Sequence, residues 1–354
     1  MKVMQVMAGA EFGGAEEFFM RLTPALTRAG VDQRVVIRKH DGRAKRLRDA
    51  GIEPVELAFG GYLDISTTRK LVAEIEAFQP HIVMSWMNRA SLFCSRARKR
   101  SRHEFVQIGR LGGYYQTKYY RGFDHLIGNT PHIVEYLVGE GWPEEAAHFV
   151  PNFVADPSLP AVARPSLPAV ARQEFHTPAD APLLLALGRL HRNKAFDVLI
   201  RSMADIPGAF LWLAGEGGER AALERDAMQT GVADRVRFLG WRDDISGLLA
   251  AADMLVCPSR VEPLGNVVIE AWAHDVPVVA ASSAGPSWLI EQDRTGLLVP
   301  VEDSPALAAS VRRLIAEPSL AARLAVAGHG EYDARFTEAA VVRRYMDLFE
   351  KAAG

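Results

Sequence analysis

A chain of 354 residues is long for one ordinary core, and two domains are the expectation. Its 49% apolar and 24% charged residues fit a soluble globular protein, and a net charge of -2 argues against a general nucleic-acid binder. The two cysteines, Cys94 and Cys257, are too few and too far apart for a disulfide framework or a cysteine-rich metal site.

The segment Met1–Met7 is too short and too lightly charged for a signal peptide and reads as a first buried strand. No apolar run nears the ~20 residues that span a bilayer. A cytoplasmic location is the default expectation, compatible with peripheral attachment at the inner face of the cytoplasmic membrane.

Short runs rich in Val and Ile predict strands at Val3–Ala8, Gln33–Arg38, Pro54–Ala58, His81–Ser85, Phe105–Ile108 and His125–Ile127. Helical patterns at Ala15–Ala29, Thr67–Phe78 and Ala90–Lys99 separate several of them. This alternation predicts an α/β fold, a parallel sheet covered on both faces, over residues 1–152.

Residues 153–180 read as a linker. PSLPAVAR occurs at 157–164 and again at 165–172, and its four prolines exclude a continuous helix or a central strand. A two-copy, eight-residue repeat is too short for a solenoid and suits an exposed segment tolerant of insertion.

The rhythm restarts beyond it. Strands are expected at Leu183–Leu187, Phe210–Ala214, Val236–Leu239, Met254–Cys257 and Val276–Ala280. Helices are expected at Phe196–Ala204, Glu219–Thr230, Ile245–Ala251, Asn266–Ala273 and Pro305–Ala316. A second Rossmann-like domain over 181–335 follows, and a last helix within 336–354 is expected to pack back on the first domain.

The chemistry concentrates at strand ends. From Val256 to Ala271 a strand ends near Ser259, Pro263 enforces a turn, Gly265 permits close backbone approach, and a helix starts near Asn266. Such a helix start presents N–H groups and a positive dipole end to a pyrophosphate. Glu262 precedes the helix and Glu270 lies about one turn inside it; ionised carboxylates accept hydrogen bonds from sugar hydroxyls. Alone, two glutamates eight positions apart are ordinary surface charges.

The strand Leu183–Leu187 runs into Gly188-Arg189-Leu190-His191-Arg192-Asn193-Lys194. Arg189 and Lys194 thus stand past a strand end, where open α/β sheets bind ligands and where both suit phosphate oxygens. Val3–Ala8 leads into a glycine-rich loop, Gly9 to Gly14, and a helix, again phosphate geometry. Neither this loop nor Gly215-Glu216-Gly217-Gly218 satisfies the dinucleotide fingerprint, which disfavours a nicotinamide dehydrogenase.

In order, Gly-Gly-Ala-Glu at 13–16, Val150-Pro151-Asn152, Gly188-Arg189-Leu190 with Lys194, Ala214-Gly215-Glu216-Gly217, Phe238-Leu239-Gly240, Ala252-Asp253, Pro258-Ser259 with Glu262 and Glu270, Val276-Pro277-Val278-Val279 and Gly296-Leu297-Leu298-Val299 resemble glycosyltransferase family 4. That family comprises retaining enzymes of the GT-B fold, two Rossmann-like domains whose parallel sheets face a central cleft. The resemblance spans nearly the whole chain and is densest from 183 to 303.

It implies transfer of a sugar from a UDP- or GDP-sugar to a hydroxyl, with retention. Arg189 and Lys194 would bind the donor pyrophosphate, Glu262 the donor sugar and Glu270 the ribose. The Leu264, Gly265, Asn266 and Val267 backbone would close around the phosphates, and Gly13 and Gly14 would approach the donor while leaving room for an acceptor. No Asp-x-Asp occurs, so no required metal or other cofactor is expected. The family histidine that faces the donor sugar is missing from the strand exits at Ser85–Arg89 and Ile108–Tyr115; Arg110 is a candidate for its place.

Gly-Gly-Tyr-Tyr at 112–115 resembles transferases of cell-envelope polysaccharide or lipopolysaccharide, and Tyr114 and Tyr115 are acceptor-side candidates for a saccharide or glycolipid. Residues 1–152 carry 21 Lys and Arg against 17 Asp and Glu, the remainder 20 against 26. The first half is therefore the one suited to an anionic partner, and Arg96 to Arg102, with five cations in seven residues, is a candidate contact with an anionic membrane. The rival expectations are a nucleotide-sugar epimerase of the same architecture and a non-catalytic sugar-nucleotide-binding protein.

Overall fold

The computed structural model describes residues 1–10, 13–61, 63–154 and 172–354. The tandem PSLPAVAR repeat lies outside the described residues except for its last residue, Arg172. Two compact units emerge: Met1–Phe153 together with Glu338–Gly354, and Val154–Thr337.

The first unit is built on a seven-stranded parallel sheet. Its strands are β1 (Lys2–Met7), β2 (Asp32–Arg38), β3 (Val55–Leu57), β4 (Ile82–Trp86), β5 (Val106–Leu111), β6 (His125–Gly128) and β7 (Ala147–Phe149), in the order β3-β2-β1-β4-β5-β6-β7. Helices α1 (Gly14–Arg28), α2 (Asp41–Asp49), α3 (Ile65–Phe78), α4 (Met87–Arg98) and α5 (Pro131–Gly139) connect them. β4 is buried at every position, as a strand covered on both faces must be. α1 turns Phe18, Phe19, Leu22, Ala25 and Leu26 inward at helical spacing, and Phe19 meets Trp86 edge-on at 5.4 Å.

The second unit carries a six-stranded parallel sheet. Its elements run β8 (Leu183–Leu187), α6 (Phe196–Ser202), β9 (Phe210–Ala214), α7 (Arg220–Gln229), β10 (Val236–Gly240), α8 (Ile245–Ala251), β11 (Met254–Cys257), α9 (Asn266–Ala273), β12 (Val278–Ala281), α10 (Ala284–Leu289), β13 (Leu297–Val299), α11 (Ser304–Ala316) and α12 (Pro318–Arg335). The order is β10-β9-β8-β11-β12-β13. Residues 172–180, placed in the linker by sequence, are a folded part of this unit: Arg172 donates to the carbonyls of Ala179, Ala181 and Ala251 and pairs with Asp253. The long last helix, α13 (Glu338–Ala353), belongs to the first unit and buries Val341, Val342, Tyr345, Leu348 and Phe349 there.

Several elements escape the pattern. α2 buries only Arg43, Ala44 and Leu47, so no apolar period announces it. α12 is 18 residues long, yet its close packing rests on a glycine: a Cβ on Gly328 would lie 2.3 Å from the Trp272 ring of α9. β5 extends beyond the expected Phe105–Ile108 to Leu111, which carries Arg110 into the sheet.

Candidate functional site

In each sheet the strand order reverses once beside the first strand of its unit, between β1 and β4 and between β8 and β11. At such a reversal the loops leaving neighbouring strands diverge and open a crevice at the carboxyl edge. In the second unit those loops hold Lys194 and Glu262.

The loop after β8 begins at Gly188, whose φ of 141° suits glycine. A Cβ on Gly215, just past β9, would lie 1.9 Å from the Gly188 carbonyl oxygen, and one on Gly217 would lie 2.2 Å from that of Leu190. The two glycine segments are therefore packed backbone against backbone, tied by Gly188 N–H to Ala214 and Leu190 N–H to Glu216 at 3.0 and 2.9 Å. This leaves Arg189 exposed and without a hydrogen-bond or ion-pair partner among the described residues. A short turn, Arg192–Lys194, then brings Lys194 onto the Glu262 carboxylate.

Glu262 is fixed from several sides. Its Oε2 accepts from Lys194 Nζ and, at 3.3 Å, from the buried Ser259 hydroxyl. Its carbonyl accepts Gly285 N–H at 2.7 Å, and a Cβ on Gly285 would lie 2.3 Å from the Leu264 oxygen, so only glycine lets α10 close on this loop. Burial alone pushes the Lys194 ammonium down, but the charge and hydrogen bond of Glu262 outweigh it and hold the group above the ordinary lysine value.

Arg260 holds the two loops together, a role that sequence reasoning missed. Its N–H reaches the Asn193 carbonyl at 2.8 Å, and its guanidinium grips the Arg192 carbonyl, both oxygens of Asp197, and Glu302. These partners hold its pKa well above the ordinary arginine value. Its place between Ser259 and Glu262 was visible, but its partners lie 42 to 68 positions away and needed the fold.

Gly265, at φ 89°, starts α9, and no side chain caps that helix. Leu264 is buried; Asn266, Val267 and Glu270 are half-buried, with Glu270 one turn into the helix. A half-buried ammonium, an exposed guanidinium and a helix start thus share one unit's carboxyl edge with two carboxylates. The cations and amides suit a polyanion, and the carboxylates suit hydroxyls.

The first unit departs from expectation twice. The Glu16 carboxylate folds back over the glycine-rich loop: Oε1 accepts Ala10 N–H at 2.7 Å, and a Cβ on Gly9 or Gly13 would lie 2.4 Å from one of its oxygens. Buried Arg43 donates to the Ala10 carbonyl alongside. A resident carboxylate therefore lies against Gly9, Ala10 and Gly13, where the sequence suggested phosphate geometry.

Arg110 is likewise not an acceptor-facing residue. It is 1% exposed, stacks on Phe18 and Trp86, and donates to Tyr345 Oη at 3.2 Å, to Leu111 O and to Asn152 Oδ1. Tyr114 stays half exposed, edge-on to Tyr136, whose hydroxyl donates to the Tyr115 carbonyl. Burial raises the Tyr115 phenol pKa above its ordinary value.

Two Rossmann-like units in one chain, the second carrying this edge, are the parts of a GT-B glycosyltransferase. The model of glycosyl transferases group 1 matches residues 181–317, and that of glycosyltransferase family 4 matches residues 12–156. Two lipopolysaccharide core biosynthesis glycosyltransferases of Rhizobium meliloti are similar over the full length. LpsE is 35% identical over 98% of both chains, and LpsD is 36% identical over 99% of this chain and 98% of its own. In structure, HepE of Anabaena, solved in complex with UDP, superposes with a TM-score of 0.86 at 20% identity, over 99% of this chain and 100% of that one. The chain belongs to glycosyltransferase family 4.

Proposed function

We propose that this glycosyltransferase moves a sugar from a nucleoside-diphosphate sugar to a hydroxyl of a saccharide or glycolipid acceptor, with retention, in lipopolysaccharide core synthesis. The observation that carries the reading is the Lys194–Glu262 pair at the strand reversal, beside the uncapped start of α9. The full-length similarity to two lipopolysaccharide core enzymes supports the acceptor class. Of the two expected donors, a uridine sugar is the first to test, because a structural neighbour was solved with UDP.

The departing diphosphate gathers negative charge as the glycosidic bond breaks. Lys194, held by Glu262, and the Leu264 to Val267 backbone stabilise that charge with little reorganisation, and the exposed Arg189 closes on it. Glu262, oriented by Lys194 and Ser259, accepts from donor-sugar hydroxyls and positions the anomeric carbon. Glu270 holds the ribose. In the first unit, Gly13, Gly14, Tyr114 and Tyr115 serve the sugar and the acceptor. Lys194 and Arg189 at the diphosphate take the place of a metal, so transfer is expected to persist undiminished in EDTA.

Glu262→Gln and Lys194→Met are expected to lower kcat by about 10²–10³ each, with unchanged circular dichroism. Wild-type turnover in both would overturn the assignment, as would epimerised nucleotide sugar formed without acceptor. The anomeric coupling of the product reads retention directly.

A further inference from the structure

The chain enters β6 and β7 through two loops, 121–124 and 141–146, that frame an open cavity of 270 Å³. Both loops precede their strands, so the cavity lies at the amino edge of the first unit's parallel sheet. Gly13, Gly14, Tyr114 and Tyr115 follow strand ends and belong to the opposite edge. The cavity is therefore no part of the site above. Sites for drug-sized ligands run to about 300–1,000 Å³, so this one suits a sugar ring better than a nucleotide sugar.

Its frame is fastened by Arg98 at the end of α4. That guanidinium donates to the Gly122 carbonyl at 2.9 Å and to both oxygens of Asp124 at 2.8 and 3.0 Å. Asp124 also accepts Gln107 N–H at 2.7 Å. Phe123 is buried and stands edge-on to the buried Tyr120 at 5.5 Å. On the other side, Trp142 packs against the core that contains Leu137 and Phe123, and its backbone N–H reaches the Leu137 carbonyl at 3.0 Å.

The polar groups left over are all of one kind. Asp124, the one acid in the lining, is already engaged by Arg98 and Gln107. Of the acids nearby, Glu140 accepts from the Thr117 hydroxyl at 3.0 Å, and Glu144 and Glu145 are exposed outside the lining. Arg121 is exposed, with no hydrogen-bond or ion-pair partner among the described residues. The Trp142 indole N–H has no partner among them either, and it is not sealed from solvent. Both free side chains are donors, and they stand over apolar walls made by Phe123, Trp142, Pro143 and Ala146. A ligand matched to this set has acceptor-only charge at one end and C–H groups on a face.

We propose that this cavity is a second saccharide site, which takes a sugar carrying a carboxylate or a phosphate. The pyranose C–H face lies on the Trp142 indole, as an amphipathic aromatic allows. Arg121 holds the acid group as a charge-assisted pair, and the indole N–H meets a ring or hydroxyl oxygen. Nothing in this depends on the reading of the donor site.

The test is ligand-observed saturation-transfer NMR on the full chain, with saturating UDP to fill any donor site. The probes are methyl glucuronide, glucose 6-phosphate, methyl glucoside and inorganic phosphate. At least one acidic sugar is expected to bind about tenfold or more tighter than methyl glucoside, and the tighter of the two names the acid group. Arg121→Ala is expected to bring the acidic sugars to the level of the neutral one, at an unchanged melting temperature. Trp142→Ala is expected to remove binding of all three sugars. Trp142→Phe keeps a packed ring and loses the N–H, so it covers a folding failure of the alanine variant; a loss of about two- to tenfold is expected. Failure of wild type to bind either acidic sugar would overturn the proposal. So would binding indifferent to Arg121→Ala, or inorganic phosphate held as tightly as glucose 6-phosphate, which marks a site for bare anions.

Discussion

Lys194 owes its raised pKa chiefly to one neighbour. Burial lowers an ammonium pKa, and Glu262 reverses that. The folded-state value is raised, so the charge and its stabilising pair persist through neutral pH and are lost only as pH rises through that value. Glu262→Gln removes the main counter-charge and leaves burial the dominant influence. The alkaline limb of kcat/KM should then move to lower pH, and a pH profile of any residual activity measures it. Both residues were legible because each follows a buried strand; their mutual contact was not, since they lie 68 positions apart.

Arg110 shows the opposite case: a polar residue in a strand ends the apolar run that sequence reading follows, so β5 was ended too early and its arginine was placed at an exit. Its buried guanidinium donates to neutral acceptors on Tyr345, Leu111 and Asn152, so each is costly to lose. Tyr345→Phe is expected to destabilise the protein by about 1.5–3 kcal/mol, read by urea denaturation, with no change in a soluble-acceptor KM.

At the level of elements, the donor-side loops are set by glycines, and their spacing was visible without their purpose. Gly217 and Gly218 separate the two. A Cβ at 217 would meet the Leu190 backbone, which cannot yield, whereas one at 218 meets nothing within 4 Å. Gly217→Ala should cost about 1–3 kcal/mol and weaken nucleotide binding. Gly218→Ala should stay within about 0.5 kcal/mol of wild type. Thermal shift with and without UDP measures both effects.

The adjacent strands β6 and β7 carry a pair no pattern announced, His125 and His148, with ring nitrogens 3.1 Å apart. Burial first, then His125 and Lys351 of α13, pushes His148 down to about 4. Burial and Lys351 also lower His125, against an opposing pull from Asp124. The folded pKa lies below the ordinary ~6.5, so the unfolded chain binds protons first. Stability should fall as pH drops from ~6.5 towards about 4 and level off below. His148→Phe should flatten that window in urea midpoints collected against pH.

For the whole molecule, alternation of strand and helix made the two parallel sheets readable, while short β7, polar α2 and the glycine-bearing α12 gave the pattern too little to follow. The strand order could not be seen either, and it is the order that brings Lys194 and Glu262 to one edge. Among the described residues no helix is long and apolar enough to cross a membrane.

The placement of α13 has a consequence for how the molecule is made. The first unit lacks a wall of its core, Val341 to Phe349, until the last residues arrive. The whole second unit is translated in between, which at ~5–20 residues per second takes roughly 10–40 s. The half synthesised first is thus the half completed last. During that interval its open face needs shelter, and nascent chains halted before residue 338 should bind a holdase chaperone that full-length protein ignores.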